Sequence, residues 1–175
     1  DQTSGADQIR SQRLASPILA APLATYIDNI TTSGFTAHWD VATGAAGYYI
    51  DVSTDNFATF VYQNADAHNF TLSPISGLTS NTRYYFRVRS YDVHGGVSDY
   101  SNVLTTYTLL LAPVATEASN ITSIGMTANW GPVSGAAGYY LDVSTDPLFG
   151  SFVTGYNSLN VGSATSYAIN GLTVS

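Results

Sequence analysis

At 175 residues the chain has room for one large domain or for two of about 90. Apolar residues make up 45%, enough for packed cores, but charged residues are only 10%, against roughly 25% in an ordinary soluble domain, so the polar surface must be built from Ser, Thr, Asn, Gln, Gly and Tyr hydroxyls. A net charge of −7, carried without any lysine or cysteine, argues against a nucleic-acid surface and excludes disulfides, thiol chemistry and Cys-ligated metals; no apolar run approaches the ~20 residues of a membrane span.

Taken in chain order, residues 1–19 are expected to be an N-terminal extension or the end of a preceding module, because Ile18-Leu19-Ala20-Ala21-Pro22 parallels Leu109-Leu110-Leu111-Ala112-Pro113. A first module is expected over 20–108. Within it Phe35, Ala37 and Trp39 share one face of a strand, with His38 pointing outward. After a Gly/Ala/Thr turn, Tyr48, Ile50 and Val52 alternate with Tyr49, Asp51 and Ser53. Phe60–Val61 and Phe70–Leu72 suggest two shorter strands. Tyr84, Phe86 and Val88 then alternate with Tyr85, Arg87 and Arg89, and the β-branched and aromatic residues of Ser101–Thr108 close the module. No 3.6-residue period persists over 11 residues, so short strands between Gly, Asn, Asp and Ser turns predict an all-β sandwich or barrel.

The segment 109–113 reads as a short apolar linker, unlike a flexible Gly/Ser connection, and its leucines are expected to pack between modules. A second module is expected over 114–175. It is a duplication of the first: NITTSGFTAHWDVATGAAGYYIDVSTD at 29–55 returns as NITSIGMTANWGPVSGAAGYYLDVSTD at 120–146, about two-thirds identical without a gap. The spacing from Asn29 to Asn120 is too long for a solenoid repeat, so each copy is a domain. Met126, Ala128 and Trp130, then Tyr139, Leu141 and Val143, repeat the inward faces of the first copy.

These residues resemble the fibronectin type III family, in particular the bacterial versions strung along secreted surface proteins. The likeness is carried by Trp39 and Trp130, by Gly47 to Val52 and Gly138 to Val143, by Gly77-Leu78 with Thr82 and Tyr84, and by Gly96, Ser98 and Ser101. The resemblance implies tandem immunoglobulin-like sandwiches of three and four strands, without a cofactor, and a Tyr84 hydroxyl bonded back to nearby backbone. It also implies that the second sandwich lacks its last two strands, since Gly171 to Ser175 corresponds to Gly77 to Asn81. Burying Tyr84, Phe86 and Val88 contributes roughly 1.5–3 kcal/mol each, so the loss is comparable with a domain's whole stability. Two explanations stand: the chain is a window on a longer array, or another chain supplies the strands, as in a filament.

Catalytic and metal chemistry find little support. His38, His68 and His94 lack metal-ligand spacing, and the Asp51/Asp55 and Asp142/Asp146 pairs are expected to cap turns. No nucleophile motif or phosphate-binding loop is present. The expected catalytic, cofactor-binding and metal residues are therefore none. One candidate contact face remains: Tyr49, Tyr85, Arg87, Arg89 and Tyr91, with Asp51 beside them, all pointing away from the core. It reads either as cross-strand pairing, Arg on Asp and Tyr on Tyr, or as an adhesive, glycan-stacking surface. The expected function is a non-catalytic spacer or scaffold of an extracellular or cell-surface protein, an appendage or a filament, whose partners are neighbouring modules or subunits and surface glycans. The alternative is an accessory module of a secreted polysaccharide-degrading enzyme.

Overall fold

The computed structural model describes residues 19–173, and the strands and turns found there include no helix. The expectation for residues 1–19 thus falls outside the described residues except at Leu19. Two compact units form. Unit 1 runs through Leu78 and resumes over Thr82–Thr108; unit 2 takes Thr79–Asn81 and the residues from Leu109 on.

Unit 1 is a sandwich of two antiparallel sheets. Strands β1 (Ala24–Asp28), β2 (Phe35–Trp39) and β5 (Leu72–Ile75) form one, in the order β1-β2-β5. Strands β3 (Gly47–Ser53), β4 (Tyr62–Asp66), β6 (Arg83–Tyr91) and β7 (Leu104–Tyr107) form the other, in the order β4-β3-β6-β7. Both sheets turn the predicted residues inward. Phe35, Ala37 and Trp39 on one side meet Tyr48, Ile50, Val52, Tyr84, Phe86 and Val88 on the other, all buried. Trp39 lies edge-on to Tyr48 at 5.6 Å and against Phe86 at 5.9 Å, and Phe35 meets Tyr84 at 6.4 Å. Such contacts add about 0.5–1.5 kcal/mol beyond area burial. The Tyr48 hydroxyl accepts from Ala42 N at 2.9 Å, which satisfies a buried donor in the turn before β3.

The turns explain why the repeat keeps its letters. Asn29 and Asn120 both take the left-handed conformation, with φ of 47° and 51°. Two residues on, Thr31 N and Thr122 N each donate to Gly34 O and Gly125 O at 2.8 Å. Glycine is required there by close approach: a Cβ at Gly34 would sit 2.3 Å from Ile75 O, and one at Gly125 2.5 Å from Ile169 O.

Unit 2 repeats the first five strands: β8 (Ala115–Ser119), β9 (Gly125–Trp130), β10 (Tyr140–Leu141), β11 (Leu159–Asn160) and β12 (Ser166–Asn170). Strands β12-β9-β8 make a three-stranded sheet, while β10 and β11 pair over two residues each. Unit 1's β3 spans seven residues and is bonded on both sides, to β4 and β6; β10 is bonded on one side alone and is correspondingly short. No described residue of unit 2 takes the place of β6 or β7.

Three details depart from the sequence reading. Strands β4 and β5 begin two residues past Phe60 and Phe70, because those rings belong to turns: Phe60 packs on Phe57, and Phe70 is 63% exposed. The closing strand is Leu104–Tyr107 and not the whole of Ser101–Thr108, since Ser101 and Asn102 turn their side chains to backbone. Asn102 brackets the start of β1, accepting from Ala24 N at 2.9 Å and donating to Ala24 O at 3.0 Å, and Ser101 Oγ accepts from Val88 N. Lastly, β3 is buried on both faces, for Asp51 and Ser53 are as inaccessible as Ile50 and Val52. The edge strand β4 bulges there: Ile50 faces Ala65 and Val52 faces Tyr62, so Gln63 and Asn64, the latter at φ 50°, oppose Asp51 alone.

Candidate functional site

The outer face of β3 and β6 carries every member of the predicted contact surface. The register sets Gly47 opposite Tyr91, Tyr49 opposite Arg89, Asp51 opposite Arg87 and Ser53 opposite Tyr85. Period-two alternation puts these side chains together, and their chemistry then pairs them off.

Arg87 is the centre. Its Nε and Nη2 both donate to Asp51 Oδ2 at 2.9 Å, and Asp51 Oδ1 accepts from Asn64 N at 2.8 Å. The guanidinium carbon lies 3.6 Å from the ring centre of Tyr100, 4.1 Å from Phe57 and 5.9 Å from Phe60. A cation held by aromatic faces and a buried carboxylate is a small polar core; Arg87 sits on Asp51 as the cross-strand reading expected, but far more withdrawn from water than a surface pair. Arg89 donates from Nη2 to Asn64 Oδ1 at 2.7 Å and stands 5.0 Å from the Tyr100 ring.

The tyrosines complete the network. Tyr49 and Tyr91 have ring centres 4.5 Å apart, and Tyr91 donates its hydroxyl to Asp66 Oδ1 at 3.0 Å. Burial and the neighbouring Asp66 carboxylate both raise the Tyr91 pKa above the usual phenol value, because each disfavours a second negative charge. Tyr85 accepts from Arg83 Nη2 at 2.6 Å and meets the edge of Phe57. The residues that complete the face and that alternation did not flag are Phe57, Phe60, Asn64, Asp66 and Tyr100. Except for Asn64 and Asp66 on β4 they come from loops, where no period marks a direction.

Of the repeated aspartates Asp55 and Asp146 cap turns as expected, whereas Asp51 is engaged across the sheet by Arg87 and Asn64 N, and Asp142 by Ser158 N. Asp55 accepts from Thr59 N at 2.8 Å, Thr59 Oγ1 at 2.7 Å and Ser53 Oγ at 2.7 Å, and these bonds lower its pKa to about 2. Asp146 accepts from Leu148 N and Gly150 N. Asp92, capping the hairpin beyond β6, is likewise lowered by bonds from Gly96 N and His94 N. His38 is tied to Asp28 at 3.0 Å and stacked on Tyr26 at 4.0 Å. Among the described residues no three His, Asp or Glu side chains converge in a metal-holding group, and no helix is long and apolar enough to cross a membrane.

Among solved structures the chain is similar to a myokine structure (18% identity, TM-score 0.44, covering 51% of this chain and 97% of that one). It is also similar to a beta-1,2-glucanase from Parabacteroides distasonis (17%, 0.47, 54% and 13%) and to domains A168-A170 from titin (16%, 0.46, 53% and 32%). It thus spans about an eighth of the glucanase chain and about a third of the titin one. No curated protein matches the sequence. Residues 20–107 match the fibronectin type III domain, the span that holds the three-and-four-stranded sandwich with Trp39 and Tyr84 in its core. The chain belongs to the fibronectin type III family.

Proposed function

We propose that the chain is a non-catalytic structural segment, a spacer and scaffold within an extracellular or cell-surface protein. The observation that carries this reading is the use made of unit 1's polar side chains. Arg87 is tied to Asp51, Arg89 to Asn64 and Tyr91 to Asp66, so the groups that most often bind or react hold β6 to β3 and β4. An extracellular setting is supported by the surface composition, which is poor in charge, free of lysine and rich in Ser, Thr and Asn.

A second reading keeps the same face as an adhesive surface for glycans, since the Tyr49–Tyr91 pair and Tyr85 present half-exposed ring faces beside arginines. Screening the 175-residue chain against immobilised glycans separates the two. The spacer reading expects no saturable binding. Binding that is lost in Tyr85→Ala and Tyr91→Ala while the thermal melt of unit 1 persists overturns it in favour of adhesion.

A further inference from the structure

Every arginine among the described residues stands on one face of unit 1. Arg83, Arg87 and Arg89 project from the same side of β6, and the chain has no lysine, so this row holds the permanent side-chain cations of residues 19–173 in a chain of net charge −7. Of the three, Arg87 alone is neutralised, by the Asp51 carboxylate. Arg83 donates to the Tyr85 hydroxyl and Arg89 to the Asn64 amide oxygen, both uncharged acceptors. Among the described residues neither of these arginines has a carboxylate partner. A guanidinium carries five N–H donors, and Arg89 gives one of them to Asn64.

Both free cations stand among tyrosines. Arg83 lies 5.1 Å from the centre of the Tyr85 ring and faces exposed Tyr107 across the β6–β7 ladder. Arg89 faces Tyr49 across the β3–β6 ladder, beside the half-exposed Tyr49–Tyr91 pair and 5.0 Å from the Tyr100 ring. From position 83 to position 89 the strand rises about 20 Å, and the neutralised Arg87–Asp51 pair lies between.

We propose that this face binds a sparsely charged acidic polysaccharide laid along β6, with sugar carboxylates on Arg83 and Arg89 and sugar rings against the tyrosines beside them. The inference rests on the adhesive reading of the face and names its ligand class. Charge spacing decides against nucleic acid: a phosphate every ~3.4 Å of strand sets about six on this length against two free arginines. A peptide strand is disfavoured because β6 has no backbone ladder to offer, being bonded by β3 on one side and by β7, Ser98 and Ser101 on the other. The acids on this face are occupied, Asp51 by Arg87 and Asp66 by Tyr91 and His68. At physiological ionic strength the Debye length is about 8 Å, so acids elsewhere on the chain act only weakly on a ligand held here.

The test measures binding of the 175-residue chain to immobilised hyaluronan, in which glucuronate alternates with a neutral N-acetylated sugar, and to the same polymer with its carboxyls reduced to alcohols. Saturable binding to the first is expected, about tenfold or more weaker to the second, and falling as salt is raised. Arg83→Gln and Arg89→Gln are each expected to weaken hyaluronan binding by about tenfold while unit 1 keeps its melting transition, and the double variant to bind the two polymers alike. That preference is read between two polymers on one protein, so a loss of stability in a variant does not mask it. Equal binding of the two polymers to the unaltered chain overturns the proposal and leaves adhesion standing. Absence of binding to both overturns it too, and a screen negative for neutral and acidic glycans alike removes the adhesive reading with it. Tighter binding of single-stranded DNA or of an alternating Asp-Gly peptide than of hyaluronan also overturns it.

Discussion

Arg87 and Asp51 face each other across β6 and β3, with Nε and Nη2 of the guanidinium both 2.9 Å from one carboxylate oxygen; the Asp51 side chain is 1% exposed and the Arg87 side chain 21%. A pair so withdrawn from water differs in kind from a surface ion pair. Removing one partner leaves an uncompensated buried charge, a loss of about 3–5 kcal/mol in such settings. Arg87→Ala is therefore expected to lower unit 1's stability by about 3 kcal/mol in urea unfolding. Arg87→Lys is expected to recover only part of it, since a single ammonium cannot reproduce the two-pronged bond or the stacking on Tyr100 and Phe57.

The buried turn before β3 offers a smaller and sharper measurement. Tyr48→Phe keeps the ring against Trp39 but removes the acceptor for Ala42 N. An orphaned buried amide costs about 1–3 kcal/mol, and that loss is expected in thermal unfolding with the strand content by circular dichroism unchanged. The matching change in unit 2, Tyr139→Phe, frees Val133 N, which is only partly buried, and is expected to cost less.

Core truncation gives the upper end of the scale. Phe86 is fully buried against Trp39, and Phe86→Ala is expected to destabilise unit 1 by about 3–5 kcal/mol, enough to shift its melting transition by many degrees.

Acid should act through the turn caps. Asp55 has its pKa lowered from 3.8 to about 2 by bonds from Thr59 and Ser53 that require the ionised carboxylate, and Asp92 is lowered in the same sense. A depressed folded-state pKa contributes stability that is complete above the unfolded value and is lost as pH falls through the folded one. The loss is thus expected from about pH 4 down to about pH 2. Urea midpoints followed across that window are expected to fall, and to fall less steeply in Asp55→Asn.

Much of this was legible from the letters alone. The inward residues of β2, β3 and β6 were read from period-two alternation, and each lies in the core because a half-buried strand has no other way to satisfy that pattern. The outward set Tyr49, Tyr85, Arg87, Arg89 and Tyr91 was legible as neighbours on one face of β3 and β6, but its full internal pairing was not. Alternation shows that Arg87 points away from the main core; it does not show that Phe57 and Tyr100 fold over it, since those rings arrive on loops far apart in sequence. The same limit displaced β4 and β5: Phe60 and Phe70 are apolar enough to suggest strands, yet they sit in turns that hydropathy cannot distinguish.

The bulge at Asn64 bears on how such modules can be joined. Strand β4 borders unit 1's larger sheet, and its left-handed Asn64, together with Gln63 and Asp66, makes it irregular and hydrophilic. A flat, greasy border would recruit any passing backbone and let copies zip side by side into sheets. A crimped and polar one turns such partners away, so crowding many of these modules on one surface need not glue them together laterally.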